Sequence, residues 1–204
     1  IITFSGKPAS VMYCADCGGK TRPYGNTHPY LRGVTEPPEI EHCAWEIKLK
    51  PADAEAKLKA AGVAAAGLTG LEVQEMDSSG RAVKIRVDGA PGVSSIPAEK
   101  LRDALGLKSL VLAIDAGADD CIIIRGKGNG HGVGMCQVGA KGLAQPPLSY
   151  TCDRILAHYF PGTSLSSAPQ QPRTSPTSPT ARTVPGQQQP EAPSIDIRVK
   201  TPRL

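Results

Sequence analysis

Two groups of side chains in this 204-residue chain have the types and spacing that chemistry needs. The first is sulfur and imidazole near the start: Cys14 and Cys17 stand in C-x-x-C spacing, and His28, His42 and Cys43 follow within a loop-rich stretch. Thiolate and imidazole are the preferred donors for tetrahedral zinc, so Cys14, Cys17, His28 and Cys43 are candidate ligands of a structural zinc. A disulfide from Cys43 to Cys14 or Cys17, or plain buried thiols, would account for the same residues. The second group lies in RGKGNGHGVGMCQVGAKGLA, Arg125 to Ala144, where His131 sits among alternating glycines and Gln137 follows. A neutral imidazole and an amide beside bare backbone N–H groups suit a polar ligand rich in hydroxyls and amides. His131, Gln137, Gly130 and Gly132 are therefore candidate binding residues that require no cofactor. Thr21 and Tyr30, in a loop that also carries Tyr24, His28 and Arg32, are candidates for the same groove.

Two familiar glycine motifs fail on this segment. A dinucleotide fingerprint needs a glycine three positions after the second one, but His131 follows Gly128 and Val133 follows Gly130 at that distance. A phosphate-cradling loop could end at Gly19-Lys20-Thr21, yet Cys14 occupies its first glycine position. A nucleophile pair of Cys136 with His131 is a weak reading, because five positions around a glycine turn do not enforce contact. Cys121 and Cys136 fall among core positions and read as small buried hydrophobes.

These residues need elements to position them. The β-branched run Cys121-Ile122-Ile123-Ile124 is a buried strand leading into the glycine turn, and Val133 to Leu143 then carry helical spacing. Ile1–Phe4 and Pro8–Cys14 read as a hairpin, Trp45–Leu49 as a strand, and Pro51 to Ala60 as a helix stopped by Gly62. Leu71–Glu75 and Ala82–Val87 form a second hairpin around Asp77-Ser78-Ser79-Gly80. A short helix spans Ala98–Leu105, Leu110–Ile114 pairs with Cys121–Ile124, and Tyr150–Phe160 is a last helix halted by Pro161-Gly162. The expected fold class is α+β, a β-rich core of hairpins with short flanking helices.

Composition divides the chain at about residue 165. Residues 1–165 form the folded domain; 166–193, full of Pro, Ser, Thr and Gln, cannot bury enough surface to offset ordering entropy and read as a disordered linker. Residues 194–204 recover strand-like alternation and read as the start of a further module. Three of the four net positive charges follow Leu165, so the folded part is near neutral and no nucleic-acid partner is expected. No apolar run approaches the roughly 20 residues that span a bilayer. The chain opens on Ile1 and is taken as a piece whose export signal lies upstream.

The run GKGNGHGVGMCQVGAKGLA, followed by ILAHYFPGT from Ile155 to Thr163, resembles the signature of the SpoIID/LytB family of bacterial cell-envelope proteins. Cys17-Gly18-Gly19-Lys20-Thr21, Pro29-Tyr30-Leu31-Arg32-Gly33-Val34 and Gly80-Arg81-Ala82-Val83 agree with it, so the resemblance covers about Phe4 to Leu165. It implies an exported protein of the cell envelope that acts on peptidoglycan glycan strands in the manner of a lytic transglycosylase. The alternative it implies is a non-catalytic module that binds glycan or activates a cell-wall amidase. Catalytic relatives carry their acidic glutamate in a helical segment before the first hairpin. No stretch of this chain matches that segment, so domain 1–165 is expected to be N-terminally truncated and inactive alone.

Overall fold

The computed structural model describes residues 1–90, 92–117 and 120–167. The linker and further module expected after residue 165 lie, from residue 168 on, outside the described residues. The architecture is α+β. In chain order it comprises β1 (Ile2–Phe4), β2 (Lys7–Pro8), β3 (Tyr13–Cys14), β4 (Ala44–Leu49), α1 (Pro51–Ala60) and β5 (Gly70–Met76). These are followed by β6 (Ala82–Gly89), β7 (Gly92–Pro97), α2 (Ala98–Leu105), β8 (Val111–Ala116) and β9 (Ile122–Lys127). The last elements are β10 (Met135–Cys136), α3 (Gln137–Ala144), α4 (Cys152–Tyr159) and β11 (Ser164–Leu165).

One core lies among two antiparallel sheets and two helices. Strands β4, β9 and β8 pair in that order, with Ile124 opposite both Ile47 and Ile114, while β5, β6 and β7 form a meander. Helix α1 starts on Pro51, whose missing N–H costs nothing at a first helical position, and buries Ala54 and Leu58, one turn apart on one face. Helix α2 buries Ala98, Leu101 and Leu105. These side chains join Trp45, Ile85, Leu112 and Ile124 in a continuous apolar cluster.

Strand β9 runs three residues further than its apolar run suggests, through Arg125, Gly126 and Lys127, and glycine at the middle one has a steric reason. Trp45 lies opposite Gly126 in the register, and its ring occupies the space a side chain would take there. A Cβ on Gly126 would stand 2.2 Å from the indole and 2.6 Å from the Val111 carbonyl oxygen. The indole N–H donates to Ser109 Oγ at 3.3 Å, and Ser109 donates to the Lys127 carbonyl at 2.5 Å, so the ring has nowhere to retreat. Gly126→Ala should cost about 2 kcal/mol of stability through overpacking, read as a lower denaturation midpoint; an unchanged midpoint would show that the indole can shift.

The second core holds the chemistry-bearing segments. Strand β3 pairs in parallel with β10, setting Cys14 opposite Cys136, and β1 pairs with β11 to bring Ile2 opposite Leu165. Around that seam pack Tyr30, Leu31, Ile40, Val133, Leu143, Ile155, Tyr159 and Phe160. The helix expected from Val133 begins only at Gln137, because Met135 and Cys136 are drawn into the pair with β3.

Candidate functional site

Residues distant in sequence converge where β3 meets β10. Cys136 Sγ caps α3, accepting the backbone N–H of Gly139 at 3.2 Å, and it also accepts the backbone N–H of Cys17 at 3.2 Å. The thiols of Cys14 and Cys17 hydrogen-bond to the same sulfur. Together with the two backbone donors they hold the Cys136 thiol far below its usual range, since every one of them favours the thiolate. Cys14 and Cys17 shift the opposite way, because donating to Cys136 and being buried both favour keeping their protons. Three thiols thus share one pocket of the interior, with Cys17 and Cys136 fully shielded from solvent.

An imidazole and a carboxylate complete the cluster. Asp16 is buried and faces three N–H donors: Gly18 at 2.9 Å, Cys43 at 2.8 Å and His42 Nδ1 at 2.5 Å. Bonding to Asp16 puts the imidazole proton on Nδ1 and leaves a lone pair on Nε2. That nitrogen lies 3.1 Å from Glu36 Oε2, and neither atom has any hydrogen-bond donor. The other Glu36 oxygen accepts from Tyr159 Oη. Burial pushes the Glu36 carboxyl up to about 7, the Tyr159 hydrogen bond opposing it, and burial likewise raises the Tyr159 phenol. Donor atoms of Cys17, Glu36, His42 and Cys136 all lie within 4.8 Å of one another.

Directly beneath runs a buried cation. Arg81 donates to the Cys17 carbonyl at 2.6 Å, the Lys20 carbonyl at 2.8 Å and Ser79 Oγ at 2.9 Å, and is 1% exposed. Its guanidinium fills the space over Gly132, where a Cβ would stand 2.0 Å from it, and Gly132 has a φ of +74°. The bare backbone at Gly132 therefore serves an internal contact rather than an external ligand. The same holds at Gly134, which is covered by the Met12 backbone.

His131 faces the other way. It is exposed, its Nδ1 accepts the Val133 N–H at 3.0 Å, and so its proton sits on Nε2. It lines an open cavity of about 480 Å³ with Met12, Arg22, Pro23, Tyr24, Gly25 and Val133. Arg22 is anchored there by ion pairs to Asp77 at 3.0 Å and Glu99 at 3.3 Å. A larger hollow of about 590 Å³ opens on the β4–β9–β8 sheet beside Trp45 and Leu112, but neither cysteine nor histidine lines it.

Gln137 is exposed at the first turn of α3, and Gly130 packs 3.5 Å from Cys14 Cβ by its would-be Cβ. Thr21 is buried, its Oγ1 accepting the Val34 N–H at 2.7 Å. Tyr30 is buried too, its hydroxyl exchanging hydrogen bonds with the Ser10 backbone. Of the four zinc candidates, Cys14 and Cys17 meet at the cluster. His28 instead packs between the rings of Tyr24 and Tyr30, and the exposed Cys43 donates its thiol to the Ala44 carbonyl. Of the cluster's remaining members, Asp16, Glu36 and His42 come from the same loop-rich stretch, whereas Cys136 joins Cys17 across 119 positions, for which C-x-x-C spacing gives no signal.

No family model matches the chain. Individual proteins do. An uncharacterised protein of Brachyspira hyodysenteriae is 33% identical over 173 residues, covering 81% of this chain and 45% of that protein. The amidase enhancer of Bacillus subtilis is 41% identical over 76 residues, 36% of this chain and 10% of its own length. Stage II sporulation protein D of the same organism is 26% identical over 172 residues, 82% of this chain and 48% of its own. The matches to the amidase enhancer and to stage II sporulation protein D support a SpoIID/LytB-like family. The chain spans about half the length of two of these relatives and a tenth of the third. It presents two separate chemistries, an open cavity at His131 and a closed thiol cluster behind the same segment. Among the described residues no helix is long and apolar enough to cross a membrane.

Proposed function

We propose that this is an exported bacterial cell-wall protein that acts on peptidoglycan glycan strands, and that the cavity beside His131 grips the sugar. The observation that carries the reading is the cavity's chemistry. Tyr24 offers an exposed aromatic face, His131 an outward Nε2–H, and Arg22 a fixed guanidinium, which is the mixture of apolar surface and aimed donors that a hydroxyl-rich chain needs. The names borne by the Bacillus relatives support a cell-wall setting.

Lytic-transglycosylase-like cleavage is the finer form of this proposal. It needs a carboxylic acid that protonates the leaving oxygen and then, as carboxylate, assists attack by the sugar's own hydroxyl. Among the described residues the cavity wall carries no carboxylate, and Glu36 is buried in the thiol cluster. In turnover the acid therefore reaches the cavity from elsewhere in the protein. Without turnover the same cavity serves glycan binding or the activation of an amidase, a reading the carboxylate-free wall favours.

Co-sedimentation with purified, peptide-stripped glycan strands tests the proposal. Tyr24→Ala and His131→Ala should each weaken binding about 5–10-fold, roughly 1–1.4 kcal/mol, with an unchanged melting temperature. If His131→Ala leaves binding intact while lowering the melting temperature, His131 belongs to the scaffold. Release of anhydro-sugar ends from sacculi separates cleavage from binding, and stimulation of a purified amidase separates the activating role from both.

A further inference from the structure

Two lone pairs face each other inside this protein. His42 Nε2 and Glu36 Oε2 stand 3.1 Å apart, both buried, both without a donor, while Asp16 holds the imidazole proton on the opposite nitrogen. When both are unprotonated, two acceptors at that distance repel, and in a dry interior the repulsion is strong. A proton on Glu36, or a metal cation between the two, removes it, and the sulfurs alongside favour the metal. Two sulfurs, those of Cys17 and Cys136, lie in the same group of donor atoms, and no disulfide joins them.

We propose that Cys17, Cys136, His42 and Glu36 form a structural zinc site, with Asp16 as the group that orients the imidazole. Two sulfurs, a nitrogen and an oxygen make a four-donor set of the kind zinc takes tetrahedrally, whereas calcium and magnesium prefer all-oxygen shells. The carboxylate–imidazole contact at Asp16 is the usual outer partner of a zinc-bound histidine, fixing both tautomer and ring plane. Charge is also offset locally: two thiolates and a carboxylate around a divalent ion leave one negative charge beside the Asp16 carboxylate, and the Arg81 guanidinium donates to the Cys17 carbonyl next to it. The site lies away from solvent, so its role is to tie the β3–β10 seam to the loops carrying Asp16, Glu36 and His42. Cys14, whose thiol hydrogen-bonds to Cys136, flanks the site without completing it.

The test uses the full chain, purified without chelator, then stripped and titrated with cobalt(II) as a spectroscopic probe. One equivalent of zinc in the purified protein, and one tetrahedral cobalt centre with sulfur-to-metal charge transfer, are expected. Cys17→Ser and Cys136→Ser should each remove about half of the charge-transfer intensity, there being two thiolates in the set. Asp16→Asn should weaken zinc affinity about 10–100-fold. His28→Ala and Cys43→Ser should bind as the unaltered protein does. If the serine variants fail to fold, metal protection in the unaltered protein decides: zinc should shield Cys17 and Cys136, but not Cys43, from alkylation mapped by mass spectrometry. Equal alkylation with and without zinc overturns the proposal. So does a Cys17–Cys136 disulfide in the purified protein, or loss of the cobalt spectrum on changing His28 or Cys43.

Discussion

Arg81→Met should cost about 3–5 kcal/mol of folding stability, read as the shift of a urea denaturation curve, because it removes a buried cation and orphans the groups built around it. The Cys17 and Lys20 carbonyls would lose donors at 2.6 and 2.8 Å, and an unsatisfied buried carbonyl such as that of Cys17 costs about 1–3 kcal/mol. Ser79 Oγ loses a partner at 2.9 Å as well. Methionine keeps much of the apolar stem and volume, so the loss is one of hydrogen bonding and charge more than of packing. Gly132 gives this prediction a second arm. A methyl group there would lie 2.0 Å from the guanidinium, at a φ of +74° that side chains rarely adopt, so Gly132→Ala alone should also be strongly destabilising. In the Arg81→Met background a flexible thioether can give way, and the cost of Gly132→Ala should fall by about 1 kcal/mol or more. Additive costs would mean that backbone strain, not the guanidinium, dictates glycine at this position.

The glycine-flanked segment shows where sequence reasoning succeeds and where it stops. Local signals were sufficient for α1 and α2: Pro51 at a helix start and a Leu101/Leu105 repeat closing on Gly106 are read within one or two turns of chain, and both helices have the expected limits. The hairpin of β5 and β6 was legible for the same reason, as its turn is organised by Asp77, whose carboxylate accepts the backbone N–H groups of Ser79 and Arg81. Strand β7, GVSSIP, carries little apolar alternation and is held by its pairing with β6, so nothing in its own residues announced it. The parallel pairing of β3 with β10 is likewise a tertiary fact. It turns Met135 and Cys136 from helix into strand and converts Cys136 from an apparent core filler into the sulfur on which two thiols and two backbone N–H groups converge.

The candidate site divides along the same line. His131 could be singled out because glycines isolate it, and it does line an open cavity; which way the glycines themselves are used could not, because Arg81 and Met12 reach them from far away in sequence. At the thiol cluster, the C-x-x-C pair pointed to the right neighbourhood, but successive side chains diverge along an extended stretch. His42 therefore turns inward toward Asp16 while Cys43 turns out, a choice that rests on the Asp16 contact rather than on residue type.

Glu36 supplies the other large effect, and its sign depends on whether metal is present. In protein stripped of metal, burial lifts the Glu36 carboxyl from an ordinary 4.5 to about 7, so the folded state takes up a proton more readily than the unfolded chain. A group raised in this way contributes its full stabilisation below pH 4.5. It loses that contribution as pH climbs through the window up to about 7, and the difference corresponds to about 3 kcal/mol. Metal-free protein should accordingly become less stable between these limits, and Glu36→Gln should flatten the slope, since an amide oxygen can still accept from Tyr159 Oη yet cannot ionise. Adding zinc should reverse the slope, because the ion then competes with protons for Glu36, Cys17 and Cys136 and is displaced as pH falls. Denaturation midpoints measured across that window, with chelator and with zinc, read both effects. A slope that survives Glu36→Gln would assign the pH dependence to another group, and a slope unaltered by zinc would remove Glu36 from the metal's shell.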